Sequence, residues 1–298
     1  DTIDGSGFPL CFKVKSGTQR TGVLGLTDAR DVFTAEARAM GGHQKEAVIT
    51  EGAAGSMWRM VSDEGPGLKG TDLAPFPLGF MSAGLQADVH NRMCRLARAR
   101  GIDLASVETE LVNDYAFEGS FFKGDGRGYA YAPRFTVKVE TAAPTSDVRR
   151  LIADAFDTSP ILAAWRTPLV NTFALYTNIP IHGRSTMNDG ITRSITWANR
   201  HGGSRFAISS DERVDTDLAP SGLALAFAGV AFCLMTQLLR YVEHHEMKVR
   251  ALRLVQFAPC EMAGGVARGL PLDTHVFVHG EERDEVMERL IQMAANTC

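Results

Sequence analysis

The sequence predicts an α+β protein made from two copies of one unit, with antiparallel sheets wrapped around long central helices. Three observations predict it. The pentapeptide TDLAP stands at 71–75 and again at 216–220, an offset of 145 residues. From there the two stretches stay in register without a gap, so that Leu78, Ala83, Gly84 and Arg95 meet Leu223, Ala228, Gly229 and Arg240. Each half also runs strands, helix, strands, helix, as hydrophobic periodicity and turn residues place them. At roughly 100–200 residues per domain, the 298 residues divide into two domains, expected at 1–170 and 171–298.

The elements follow in order. A β-rich segment opens each half; in the second it includes the alternating run ITRSITW at 191–197, between the turn signals Asn188-Asp189-Gly190 and Gly202-Gly203. The first central helix is expected over 78–100, stopped by Gly101, and the second over 223–245, with Pro220 and Ser221 at its start. Strands are expected at 107–112, 135–139, 251–257 and 275–279, with GDGRG at 124–128 as a hairpin turn. A closing helix with an acidic residue in its first turn is expected at 146–155 and at 284–294. The second central helix is apolar on nearly every face up to Met235, which marks it as enclosed by sheet. Its 13-residue apolar run, 223–235, is shorter than the roughly 18–20 residues of a membrane span, so no membrane is expected. The first central helix carries Asp88, His90, Asn91 and Arg92 in its middle.

Composition narrows the function. With 31 basic against 35 acidic side chains and a net charge of −4, the chain has no broad cationic surface for nucleic acid or an anionic membrane. Five cysteines, Cys11, Cys94, Cys233, Cys260 and Cys298, form no CxxC pair, and nothing near the start reads as a signal peptide, which fits a reducing cytoplasm. The opening at Asp1 and the close at Cys298 read as processed or truncated ends. No metal site is expected, since His244 and His245 are adjacent and neither HExxH nor zinc-type Cys/His spacing occurs. His275 and His279 read as a solvated strand end. Without a GxGxxG, P-loop or GxSxG element, no cofactor is expected either.

Two stretches carry a family resemblance: SDEGPGLKGTDLAP at 62–75 running into FMSAGLQADV, and SSDERVDTDLAPSGLALAFAGVAFC at 209–233. Together they resemble the OsmC/Ohr family of cysteine-dependent hydroperoxide reductases. The resemblance implies two fused domains folded as an intramolecular pseudo-dimer, with further homo-oligomerisation open. It implies Cys233 as nucleophile and Cys298 as resolving cysteine. An arginine from the N-terminal strands would activate Cys233: Arg193 or Arg184 from the same half, or Arg59 or Arg38 from the other. The implied partners are a small organic hydroperoxide, or another apolar small molecule, and a lipoyl-type or low-molecular-weight thiol reductant.

The departures from the family matter as much. Its glutamate before the cysteine helix would stand near Leu223 or Leu78, where there is no carboxylate. In the first half Asp88 and Ser159 stand at the two cysteine positions, and Cys11, Cys94 and Cys260 match no family position. Other readings stay open. A lone cysteine on an apolar helix is also an inert small hydrophobe. The first half is either a degenerate copy or a repurposed pocket in which Asp88 acts as general base or hydrogen-bond anchor, with His90 on a different helix face. The alternatives to a thiol peroxidase are therefore a hydrolase or lyase using the inter-domain pocket, and a non-catalytic binder of an apolar ligand.

Overall fold

The computed structural model describes residues 1–14, 31–52, 55–167, 169, 171–177, 194–196, 204–211, 218–263 and 266–298. A short helix α1 (Ile3–Ser6) precedes β1 (Cys11–Lys13), β2 (Asp31–Ala39), β3 (Lys45–Glu51) and β4 (Ser56–Ser62). The long helix α2 (Pro77–Ala99) leads to β5 (Ser106–Val112), the hairpin β6 (Tyr115–Glu118) and β7 (Arg127–Ala130), and β8 (Arg134–Glu140). Helices α3 (Thr145–Asp157) and α4 (Pro160–Arg166) follow, then β9 (Asn171–Thr177), β10 (Ser194–Thr196) and β11 (Phe206–Ile208). The chain continues through α5 (Gly222–His244), β12 (Val249–Ala263), β13 (Val266–Gly269), β14 (Leu272–Gly280) and α6 (Asp284–Thr297).

Both central helices begin where their sequences can start one. Pro77 opens α2 with the fixed φ that a first turn requires. Ser221 caps α5 by accepting a hydrogen bond from the Ala224 N–H at 3.1 Å. The helices cross antiparallel at glycines. A Cβ on Gly84 would lie 2.3 Å from the backbone nitrogen of Ala226, and one on Gly229 would lie 2.6 Å from that of Met81. No side chain larger than hydrogen fits at either crossing point.

The largest sheet has eight strands among the described residues, in the order β1-β4-β3-β2-β12-β14-β9, with β13 alongside β12. Strands from before and after residue 170 therefore share one sheet, and β2 joins β12 antiparallel from Asp31 against Cys260 to Arg38 against Arg253. This sheet covers α5. Ile49, Met60 and Val276 of the sheet and Leu225, Phe232, Met235 and Leu238 of the helix have no more than 2% of their surface exposed. By length and apolarity α5 reaches what a bilayer crossing needs, with mean hydropathy 2.0, but 72% of that stretch is buried inside the protein. It is a core helix, as its pattern predicts. The smaller sheet β5-β8 and helix α3 bury the other side of α2 around Met93, Ala97, Leu151 and Ala155.

Local geometry recurs in the two halves. The Asp63 carboxylate accepts from the Leu73 N–H at 3.2 Å, and Asp211 accepts from the Leu218 N–H at 3.3 Å. The N–H groups of Asp63 and Asp211 donate to the carbonyls of Pro75 and Pro220. Leu73 and Pro75, and likewise Leu218 and Pro220, are thus each held to an aspartate that precedes them in the chain.

Two expectations change, and a third falls mostly outside the described residues. GDGRG lies in the β6–β7 hairpin, but the connection spans 119–126 and Arg127 already belongs to β7. His275 is not a solvated strand end: it is buried, with Nε2 3.1 Å from an Asp273 carboxylate oxygen, because β14 lies inside the sheet between β12 and β9. His279 is exposed. Of the run at 191–197, only 194–196 falls among the described residues, as β10.

Candidate active site

Cys233, Gln237 and Arg240 lie at i, i+4 and i+7 on α5, a spacing that aligns them on one helix face. That face forms one wall of a cavity of about 1060 Å³. The β6–β7 hairpin contributes Tyr115, Phe117, Phe121 and Tyr129, and β8, α3 and α4 add Phe135, Phe156 and Trp165. Apolar side chains of α2, Leu78 and Met81, complete much of the wall, and Cys298 enters from the end of α6. The hairpin loop is tied to α5 at two points: the Arg240 guanidinium sits 3.8 Å from the centre of the Phe121 ring, and the Phe121 carbonyl lies 3.1 Å from His245 Nε2.

The two cysteines meet. α6 runs three residues beyond its expected end, to Thr297, and so carries Cys298 to Cys233. A hydrogen bond from the Cys298 thiol is the largest influence on Cys233, and it lowers the Cys233 pKa. Burial and the Glu64 carboxylate oppose this, Gln237 and the Lys45 charge reinforce it, and the outcome lies below the ordinary thiol value. Cys298 is held well above that value by the same hydrogen bond, by burial and by the Cys233 charge. Of the two, Cys233 is therefore the thiol that ionises first, with Cys298 as its hydrogen-bond donor. Burial pushes the Tyr115 phenol up to about 12, so it stays neutral beside them.

Behind this face lies a buried ion pair. Lys45 Nζ is 3.0 Å from Glu64 Oε1 and donates to the His43 carbonyl at 2.9 Å, while the Thr236 hydroxyl donates to the same Glu64 oxygen at 2.6 Å. Two charges this deep require such pairing.

The first half holds a different pair at the matching positions. Asp88 is fully buried; its Oδ1 accepts from Arg92 Nε and its Oδ2 from the Ser159 hydroxyl, both at 2.6 Å. Burial raises the Asp88 carboxyl, while Arg92, Ser159 and the charge of Arg95 pull it back. Ser159 also caps α4 by accepting from the Leu162 N–H. Asp88 does not line the cavity, nor does His90, whose imidazole is lowered by burial.

The sequence candidates thus separate. Cys233 and Cys298 come together. Arg193 and Arg184 lie outside the described residues. Arg59 and Arg38 both bind Glu46, and neither reaches the cavity wall. Cys11, Cys94 and Cys260 lie away from it as well. Sequence reasoning missed Gln237, Arg240, Tyr115, Lys45 and Glu64. The first two were signalled by their helical spacing from Cys233, and Arg240 also by its identity with Arg95; Lys45 and Glu64 meet α5 only through tertiary packing. No group of three or more His, Cys, Asp or Glu side chains suited to a metal occurs among the described residues.

Among solved structures the chain is similar to an OsmC-like hydroperoxide resistance protein from Jannaschia sp. CCS1, at 13% identity and a TM-score of 0.29, over 59% of this chain and 97% of that one. It is also similar to a candidate osmotic stress induced and detoxification response protein from Psychrobacter arcticus 273-4, at 13% identity and a TM-score of 0.33, over 47% of this chain and 88% of that one. These neighbours are of the kind that the sequence resemblance names, at low similarity. No family model and no curated protein matches the sequence.

Proposed function

We propose that this protein reduces organic hydroperoxides, with Cys233 as attacking thiolate and Cys298 as resolving thiol, on two OsmC/Ohr-like copies joined as an intramolecular pseudo-dimer. One observation carries the reading: two cysteines in hydrogen-bond contact at the wall of an apolar cavity, with Cys298 as the donor. The Cys233 thiolate attacks the terminal peroxide oxygen, the O–O bond breaks, and the departing alkoxide takes a proton from water to leave as the alcohol. Cys233 is now a sulfenic acid. The Cys298 sulfur attacks the Cys233 sulfur, its thiol proton and the sulfenic hydroxyl leave as water, and a disulfide forms. A dithiol or low-molecular-weight thiol from a reducing cytoplasm restores both cysteines by exchange.

Reciprocal helix contacts support the pseudo-dimer. Gly84 lies against Gly222 and Ala226, while Gly229, its counterpart at the repeat offset, lies against Pro77 and Met81, the counterparts of those two. Self-complementary pairing of this kind is what a two-fold axis produces. Asp88 offers no support for a hydrolase or lyase, because both of its oxygens are engaged away from the cavity.

The test is consumption of cumene hydroperoxide with dihydrolipoamide or dithiothreitol as reductant. The protein is expected to turn over, and Cys233→Ser to abolish turnover. Absence of turnover in the parent protein, or full turnover by Cys233→Ser, overturns the reading.

A further inference from the structure

The two central helices carry the same three-position pattern around different anions. On α2 the carboxylate of Asp88 is gripped by Arg92 at i+4 and lies in the field of Arg95 at i+7, with the Ser159 hydroxyl closing the other side. On α5, Cys233 takes the place of Asp88, Gln237 that of Arg92, Arg240 that of Arg95, and Cys298 contributes the closing donor. Arg240 Nη1 donates to Gln237 Oε1 at 3.3 Å, which fixes the amide with its NH₂ toward the sulfur. The chain is directional: guanidinium to amide oxygen, amide nitrogen to thiolate.

We propose that Gln237 and Arg240 are positioning residues that hold Cys233 as its anion, the thiolate counterpart of the carboxylate held by Arg92 and Arg95. The arginine that serves Cys233 then comes from its own helix, and none is required from a strand. This rests on the peroxidase reading only for its purpose, since stabilising a thiolate has its own readout. An amide relay suits the site physically. A guanidinium in direct contact would lower the nucleophilicity of the sulfur along with its pKa, whereas a polarised amide stabilises the charge more mildly. Other groups also bear on the sulfur: Cys298 from the end of α6, Tyr115 from β6, Lys45 from β3, and Glu64 just beyond β4. Of these, Cys298 and Lys45 favour the anion and Glu64 opposes it, so the same-helix pair acts in concert with Lys45 and Cys298.

The test is alkylation of Cys233 by iodoacetamide in the reduced protein across pH, followed by mass spectrometry of the Cys233 peptide, with peroxide turnover measured in parallel. Gln237→Met keeps the volume but removes the relay, and Arg240→Met removes the charge. Each is expected to move the alkylation midpoint upward by about one pH unit, an about tenfold loss of thiolate below the midpoint. Gln237→Glu is expected to move it further, and Arg240→Lys to restore most of the parent profile. An unmoved midpoint in Gln237→Met and Arg240→Met, each with a native circular dichroism spectrum, overturns the proposal even if the parent reduces peroxide. A moved midpoint without peroxide turnover in the parent upholds the relay and overturns the peroxidase reading.

Discussion

Gly84 and Gly229 hold equivalent places on opposite helices, each set against backbone of the helix it crosses. Because α2 and α5 touch main chain to main chain there, the separation of the two helices is fixed by the absence of two Cβ atoms. Gly84→Ala is expected to force the helices apart at a cost of about 1–3 kcal/mol or more, although alanine favours helix intrinsically. Denaturant unfolding monitored by circular dichroism measures this, and a stabilised variant would contradict the close crossing.

On the proposed mechanism, removing Cys298 leaves the Cys233 sulfenic acid with no resolving thiol to condense with. Cys298→Ser is therefore expected to accumulate sulfinic and then sulfonic acid at Cys233 under excess peroxide, whereas the parent protein loses two hydrogens and forms a disulfide. Intact-mass spectrometry separates these products. The variant should also react through its first oxidation at a rate close to the parent or lower, since the donor that lowers Cys233 is weakened.

Asp88→Ala strands Arg92, which keeps only 11% of its side chain in contact with solvent. Breaking such a pair costs about 3–5 kcal/mol, so a clear fall in the unfolding midpoint is expected. Turnover per folded molecule should be retained, because Asp88 lies away from the cavity. An abolished activity at unchanged stability would instead make Asp88 a chemical participant.

Glu46 sets part of the acid sensitivity. Burial alone would raise its carboxyl, but Arg38 and Arg59 overcome burial and hold it below the ordinary carboxylate value. A depressed carboxyl contributes stability above its unfolded value of about 4.3, and that contribution disappears as pH falls through the lower folded value. Glu46→Gln is expected to reduce the melting temperature at neutral pH and to flatten its fall below about pH 4. Melting temperatures measured at a series of pH values check both parts.

The helices were legible because their signals are local: Pro77 and Ser221 start them, and α2 and α5 each begin one residue before the expected position. The Cys233 and Cys298 pairing was legible only through the family resemblance, since 65 residues separate them in the chain. Lys45 and Glu64 were not legible at all. A lysine and a glutamate in a strand-rich segment ordinarily read as solvated, and only the docking of Thr236 against Glu64 places them in the interior. The resemblance points to a strand arginine as the cation, but Arg38 and Arg59 are both tied to Glu46, while Arg240 lies two turns along the same helix face as the cysteine.

The pairing of β2 with β12 has a consequence for synthesis on the ribosome. The edge of β2 stays open until roughly 210 more residues have been made, which at about 5–20 residues per second takes about 10–40 s. During that interval the nascent chain exposes a strand edge of nine residues, Asp31–Ala39, to any other extended chain nearby. Long-range closure of this kind also slows refolding, because the entropy of joining distant segments is lost before the sheet repays it. That interval is the stage of synthesis at which the unpaired edge of β2 is most open to mispairing with another extended chain.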